Sequence, residues 1–178
     1  MKKIILTVFA ASSLLLYSTQ AFALLNFSVW VPLSLTISCK FNDGTEIKSD
    51  GVSGTFIQVG VPMLPGIGMD SYKTKIESDD PFELETMIYN LYYLLPIPII
   101  NLTLGVGTGS TTFKCSGCDA YFDKGSASQW YASFGMPIIP LFDLHLSYRS
   151  VSSKIKIKSG GEHDLSGNVM GLGIGFNF

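Results

Sequence analysis

The chain has 178 residues, of which 47% are hydrophobic and 15% are charged, and its formal net charge is −2. Soluble domains carry about 25% charged residues, and disordered chains combine high charge with few apolar residues, so this composition excludes intrinsic disorder. A slightly acidic chain without a basic block also argues against nucleic-acid binding, and a mean hydropathy of +0.34 points to a membrane protein or an all-β protein.

The first 23 residues have the organisation of a secretory signal peptide. Lys2 and Lys3 precede an apolar run over residues 4–16, and Ala21 and Ala23 form an Ala-x-Ala cleavage signal. We therefore expect cleavage after residue 23 and a mature domain of residues 24–178.

A transmembrane helix is not expected after the signal. Such a helix needs about 20 consecutive apolar residues, whereas the longest later run, near residues 94–100, is interrupted by Pro96 and Pro98. Since lipid otherwise admits only closed barrels, two classes remain: an outer-membrane barrel and a soluble β-protein.

Apolar residues alternate with small or polar residues in successive segments of the mature chain, and this period of two predicts β-strands. Residues 67–75 are weakly patterned, and residues 83–93 are apolar on both faces, so the orientation of that strand stays open. The clearer strands have one bulky face each, listed in chain order: Val29, Val31, Leu33, Leu35 and Ile37; Thr55, Ile57, Val59 and Val61; Ile100, Leu102, Leu104 and Val106; Trp130, Ala132, Phe134 and Met136; Phe142, Leu144, Leu146 and Tyr148.

The last segment, residues 167–178, alternates without interruption. Its bulky face is Met170, Leu172, Ile174, Phe176 and Phe178, and its opposite face is mostly glycine. A soluble barrel would turn bulky residues inward, so this pattern favours a barrel with lipid outside and a crowded interior.

The connections between strands are of two kinds, which alternate along the chain. Those at residues 63–66, 96–98 and 137–140 are short and contain proline, whereas those at 42–51, 77–82, 115–125 and 158–164 are longer and polar. In outer-membrane barrels short turns face the periplasm and long loops face outside. The sequence thus predicts an all-β fold, an eight-stranded antiparallel up-and-down transmembrane β-barrel, with both termini in the periplasm.

Taken together, the signal, the eight strands and the terminal aromatic residue resemble the small OmpA/OmpX-type outer-membrane barrels of Gram-negative cell envelopes. The resemblance implies that the barrel assembly machinery reads the last strand, at Ile174, Phe176 and Phe178. It is architectural and does not by itself imply a function.

Polar residues on the inner faces are the first candidate site. By alternation Asp143, His145 and Arg149 point inward, and Asp70, Gln58 and Asn101 are further candidates. They would line a proton path or narrow pore, or form a polar plug, and the plug is favoured because eight strands leave just enough room for side chains. Since a buried charge needs a partner, we expect Arg149 to pair with Asp143 or Glu85.

A second candidate is hydrolytic. His145 and Ser147 resemble the His-x-Ser of outer-membrane lipid A deacylases, with Glu162 as the residue that would orient the histidine. Two points count against it: His145 lies near the short-turn side, and it faces the lumen, where lipid cannot enter.

The cysteines predict a structural disulfide. Cys115 and Cys118 lie in a long loop, and a zinc ribbon would need a second pair. In an oxidising compartment they are expected to bond to each other, which leaves Cys39 unpaired near the outer end of the first strand. No metal site or cofactor is expected.

Lysines near the long loops are compatible with lipopolysaccharide phosphates or with ordinary solvation. They are Lys73, Lys75, Lys154, Lys156 and Lys158.

The sequence therefore predicts a monomeric, non-enzymatic outer-membrane protein with a structural or surface-interaction role. Its expected partners are outer-membrane lipid, lipopolysaccharide and the barrel assembly machinery. The alternatives are a small, porin-like channel or transporter for ions or apolar solutes and, less favoured, a lipid A-modifying hydrolase.

Overall fold

The computed structural model describes residues 25–37, 49–76, 82–97, 100–115, 117–139, 141–158, 160 and 162–178. This part of the chain contains nine strands and one turn of helix, α1, at Cys118–Tyr121. The strands are β1 (Asn26–Ile37), β2 (Ser49–Gly60), β3 (Pro65–Ile76), β4 (Phe82–Ile97), β5 (Ile100–Lys114), β6 (Gly125–Ile139), β7 (Phe142–Lys156), β8 (Glu162–Asp164) and β9 (Gly167–Asn177).

The strands close into one antiparallel barrel. Each of β1 to β7 pairs with the next, and β9 pairs with both β7 and β1. The three-residue strand β8 pairs with β7 beyond β9, so β8 and β9 are two segments of the eighth barrel strand. The predicted eight-stranded antiparallel barrel is confirmed, because every barrel strand pairs with a neighbour on each side.

The final strand has the orientation that its alternation predicts. Gly171 and Gly173 are buried, whereas Leu172 is 39% exposed and Ile174 48%. A Cβ atom at Gly173 would lie 2.3 Å from the Trp30 ring, so glycine is required there by an aromatic side chain that fills the interior. Bulky residues outside and glycine inside are the opposite of a soluble barrel.

The first strand departs from its predicted pattern. The register with β9 shifts between Pro32 and Ser34, which is a β-bulge, and a bulge moves every later side chain to the other face. Leu35 and Ile37 therefore pack inside the barrel, and their predicted place on the lipid face was wrong. Pro32 has no N–H to donate, which suits a position where the ladder is interrupted.

Other boundaries also differ from the sequence patterns. The sequence left open which face of β4 points inward. In the structure Ile88 and Tyr92 lie inside the barrel, and Tyr89 and Leu91 lie outside. Residues 96 and 97, which were predicted to lie in the second short connection, belong to β4, because this strand extends to Ile97. The fourth long loop is shorter than expected, because residues 162–164 pair with β7.

Candidate functional site

An ion pair crosses the barrel interior. Arg149 Nη1 lies 2.7 Å from Asp70 Oδ2, and both side chains are fully buried. Asp70 is on β3 and Arg149 on β7, which are four strands apart in a ring of eight and therefore lie on opposite walls. The predicted partner of Arg149 was wrong: Asp143 lies in another cluster, and Glu85 faces outward, 3.9 Å from both Lys73 and Lys114.

Aromatic rings surround the guanidinium of Arg149. Its Cζ lies 4.0 Å from the centroid of Phe56, 4.4 Å from Tyr131 and 5.8 Å from Trp30. A desolvated cation is attracted to such ring faces. A second bond also crosses the lumen here, because Gln58 on β2 donates to the Tyr131 hydroxyl on β6, the opposite strand.

Amide side chains complete the surroundings of Asp70. Gln129 Nε2 donates to Asp70 Oδ2 at 2.5 Å and to Asn90 Oδ1 at 2.6 Å. Buried charges persist only when they are paired and hydrogen-bonded, and Asp70 has both an arginine and an amide donor. The result is a connected constriction of charged, amide and aromatic side chains.

A second polar cluster lies closer to the short turns. Asp143 Oδ2 accepts hydrogen bonds from Asn101 at 2.5 Å and Asn177 at 2.7 Å, and Asn26 donates to Asn177 at 2.7 Å. His145 Nε2 is 3.8 Å from the same Asp143 oxygen. The four residues proposed as a lumen cluster are thus all buried inside, but they form two groups.

The structure does not assemble His145, Ser147 and Glu162. Ser147 Oγ donates to the carbonyl of Gly171 at 3.3 Å, and His145 Nδ1 is instead 3.4 Å from Ser133 Oγ. Glu162 pairs with Lys156, nine residues along β7 from Ser147, or about 30 Å. A Ser133–His145–Asp143 row exists, but all three side chains are buried where no lipid substrate reaches.

An apolar cluster closes the long-loop end of the interior. Leu84, Ile155 and Leu165 are buried there, and four partly buried residues pack against them: Ile37, Ile76, Phe113 and Phe122. A cavity of about 10 Å³ separates this cluster from the next layer, near Tyr72 and Val151. That is about the volume of one water probe.

The third long loop contains a Cys115–Cys118 disulfide, which encloses the start of α1. Cys39 lies outside the described residues. Among those residues no group of three or more His, Cys, Asp or Glu side chains could hold a metal ion, and no helix is long and apolar enough to span a membrane.

Charged side chains at the long-loop end face outward. Lys73, Lys75, Lys154 and Lys156 are exposed. Asp164 Oδ1 accepts from the Ser166 backbone N–H at 2.9 Å and from the Ser166 hydroxyl at 2.5 Å. These hydrogen bonds hold the pKa of Asp164 below its usual range.

Several interior residues were missed by the sequence reasoning although a signal existed. Gln129 lies one position before Trp130, and extending that alternation by one residue would have placed it inside. Asn90 is a polar residue within an apolar segment, and its side chain alone indicates the inner face of β4. Trp30 lies between Val29 and Val31 of the bulky face of the first strand, so the alternation there also places it inside.

No protein-family model and no curated protein matches the sequence. Solved structures do match. Neisserial surface protein A (NspA), from Neisseria, has a TM-score of 0.64 at 12% identity, over 86% of this chain and 96% of that chain. The outer membrane protein Ail of Yersinia pestis in a phospholipid bilayer nanodisc has a TM-score of 0.48 at 13% identity, over 86% of this chain and 99% of that chain. The likeness to the neisserial protein shows that this chain has the fold of the small outer-membrane β-barrels.

Proposed function

We propose that this chain is an integral outer-membrane protein with a closed, non-conducting barrel and a structural or surface-interaction role without catalysis. The observation that carries the proposal is the Arg149–Asp70 pair, which joins opposite walls of the barrel within a ring of aromatic side chains. The apolar cluster at Leu84, Ile155 and Leu165 closes the same path a second time. With the interior filled, the surfaces left for interaction are the outer wall and the loops.

We infer the orientation from charge. The long loops carry most of the acidic residues, and the exposed lysines lie beside those loops. Bacterial outer-membrane barrels have their long loops outside the cell and their short turns, with both termini, on the periplasmic side. We propose the same orientation for this chain.

The same surface suggests its partners. Lys73 and Lys75 on β3 and Lys154 and Lys156 on β7 are exposed near the long loops. We propose that these lysines contact lipopolysaccharide phosphates, that the assembly machinery inserts the chain, and that the closed barrel works as a monomer.

The absence of catalysis is likewise a proposal. It is supported by the burial of His145 and Ser133 and by the distance of Glu162 from both. If Ser147 or Ser133 were a nucleophile, lipid A incubated with the purified protein would lose acyl chains, and a serine-to-alanine variant would not release them. We expect no release from either protein.

A small channel is the second candidate, and one observation favours it. Asp70 Oδ1 and Arg149 Nη2 have no protein hydrogen-bond partner, and buried polar atoms of this kind commonly bind water. In this candidate function, a row of such waters extends through the constriction.

Planar-bilayer recording separates these two functions. We expect the purified parent protein to give no discrete openings, because opposite walls are joined at Arg149 and Asp70. The positive control removes side chains from both closures, by Phe56→Ala and Arg149→Ala at the constriction together with Leu84→Ala and Ile155→Ala in the apolar cluster, and is expected to give openings. Stable discrete openings by the parent protein would overturn the non-conducting proposal.

A further inference from the structure

We propose that the apolar side chains at the short-turn end of the barrel are embedded in the lipid of the inner leaflet, with the chain termini at the periplasmic surface of that leaflet. This inference rests on the proposed membrane location and adds the depth at which the barrel sits. The short-turn end is defined by ten apolar residues that are each at least 40% exposed: Leu25, Val61, Met63, Leu64, Ile97, Ile100, Ile138, Ile139, Leu141 and Phe178.

The first observation is that this surface is continuous with the lipid-facing wall. Met63 is 69% exposed and Ile138 60%, as much as the most exposed residues of the strands. Exposed apolar patches of this extent mark contact with a partner or with a membrane. Since the wall directly above these residues already faces lipid, the same lipid is the neighbour that the geometry favours.

The second observation is the absence of charge. Residues 51–69, 86–113 and 125–142, which contain the three short turns, have no Asp, Glu, Lys or Arg. Among the described residues, the charged side chains nearest to this end are Asp143 and Asp70, and both are buried inside the barrel. A turn that faces water gains nothing from avoiding charge, whereas a turn in lipid must avoid it.

The third observation is that the turn backbone is compatible with lipid. Leu64 N–H donates to Val61 O at 3.1 Å, and Phe178 and Leu25 exchange two backbone bonds at 2.9 and 3.0 Å. Four prolines of the described residues lie at or directly beside these turns, namely Pro62, Pro65, Pro96 and Pro137. Proline has no N–H group to leave unpaired, and unpaired backbone groups are what excludes loops from hydrocarbon.

The fourth observation is height. A strand tilted by about 40° rises about 2.5 Å per residue along the barrel axis. The outward apolar residues of β7, Phe142 to Tyr148, then cover about 15 Å, whereas outer-membrane barrels have an apolar band of about 25 Å. Serines such as Ser152 and Ser128 follow above them. The apolar turn extends this band at the other end by one or two residues, or by about 2.5–5 Å.

Spin labels with power-saturation measurements test this depth. In a Cys39→Ala background that keeps the Cys115–Cys118 disulfide, single cysteines replace Leu64 on the first short turn and Ile138 beside the third short turn, at the end of β6. Ile174→Cys is the reference for lipid, and Ser152→Cys is the reference for the polar rim. The folded proteins are placed in dimyristoyl phosphatidylcholine vesicles, and collisions with oxygen, which partitions into lipid, are compared with those of a water-soluble nickel chelate.

We expect labels at Leu64 and Ile138 to favour oxygen over the nickel chelate, as the label at Ile174 does and the label at Ser152 does not. If the nickel chelate reached the labels at Leu64 and Ile138 while the label at Ile174 still favoured oxygen, this inference alone would be overturned. The short-turn end would then face water or a periplasmic protein. Nickel access at Ile174 as well would instead overturn the proposed membrane location.

A second comparison does not depend on labels. Leu64→Asp and Ile138→Asp should lower the folded yield in the same vesicles relative to Ser152→Asp, because only the first two would place a carboxylate in lipid. Equal yields of the three variants would contradict a lipid-embedded turn.

Discussion

The side chain of Arg149 shows how a cation is held in the interior of a narrow barrel. Burial of an unpaired guanidinium is strongly unfavourable, and here one carboxylate and two close aromatic rings replace the lost water. Because Asp70 lies on the opposite wall, the attraction also ties β3 to β7. Stability and closure of the lumen therefore depend on the same pair.

Removal of either partner should be strongly destabilising. We expect Arg149→Met or Asp70→Leu alone to lower the free energy of unfolding by about 3–5 kcal/mol, since each leaves an uncompensated buried charge. The double variant Arg149→Met with Asp70→Leu should recover part of that loss, because no charge then remains unpaired. Urea unfolding in lipid vesicles of the parent, both single variants and the double variant measures the coupling. Purely additive losses would show that the pair is not coupled.

The hydrogen bonds from Ser166 set the titration of Asp164. They lower the folded pKa of this carboxyl, so the ionised form stabilises the β8–β9 junction above the ordinary carboxyl range. That contribution is lost as the pH falls through the lower, folded pKa. In Ser166→Ala the hydroxyl donor is absent, and we expect the pKa of Asp164 to rise towards its usual value. Carboxyl NMR titration of the two proteins gives the comparison, and identical curves would refute the assignment.

At the scale of the strand, substitutions on the two faces of β9 should destabilise the barrel for different physical reasons. Leu172 faces lipid, so Leu172→Arg should cost about 2–4 kcal/mol near the bilayer midplane. Gly173 faces Trp30, and a Cβ there would also lie 2.5 Å from the carbonyl oxygen of Val29, so Gly173→Val should cost about 1–3 kcal/mol by overpacking.

The control for both is Leu172→Met, which keeps an apolar side chain of similar volume on the lipid face and should unfold in urea like the parent. The two destabilised variants should also differ when they are unfolded in a series of detergents whose micelles surround the barrel wall with increasingly polar groups. Only the arginine variant should regain stability in that series. A tolerated arginine at position 172 would mean that this strand does not face lipid.

Alternation could predict the faces of β7 and β9 because no residue interrupts their period of two. It could not predict the end of β1, since the bulge at Pro32 inverts the pattern for Leu35 and Ile37 without changing the apolar alternation itself. The partner of Arg149 was equally beyond a local pattern. Asp70 is 79 positions away, and their approach depends on the closure of the whole ring, whereas Asp143 was chosen for being near in sequence.

At the scale of the whole molecule, the ring topology explains why the interior is both polar and closed. Eight strands bring opposite walls within reach of single side chains, so Arg149 meets Asp70 and Gln58 meets Tyr131 across the axis. The same narrowness requires glycine wherever a large ring approaches the wall, as at Gly105, where a Cβ would lie 2.2 Å from Tyr131. Such a barrel should resist unfolding as one unit.

Resistance of this kind predicts heat-modifiable migration. A closed barrel keeps its ladder of strand pairs in detergent until heated, so the unheated protein should migrate faster on a denaturing gel than the boiled protein. We also expect it to fractionate with outer membranes. Recovery of the mature protein from the soluble periplasm would contradict the location.

Deletion of Phe178 should separate assembly from stability. In the folded barrel Phe178 is 61% exposed, exchanges two backbone hydrogen bonds with Leu25 and stacks on Phe176 at 6.3 Å. Each such hydrogen bond contributes about 0.5–1.5 kcal/mol, so the folded variant should lose no more than about 1–3 kcal/mol in urea and should remain folded. If the terminal aromatic residue is the assembly signal, the yield inserted in cells should fall far more than the yield refolded into vesicles. Phe178→Trp keeps an aromatic end and should insert like the parent, whereas an equal loss in cells and in vesicles would assign Phe178 a purely structural role.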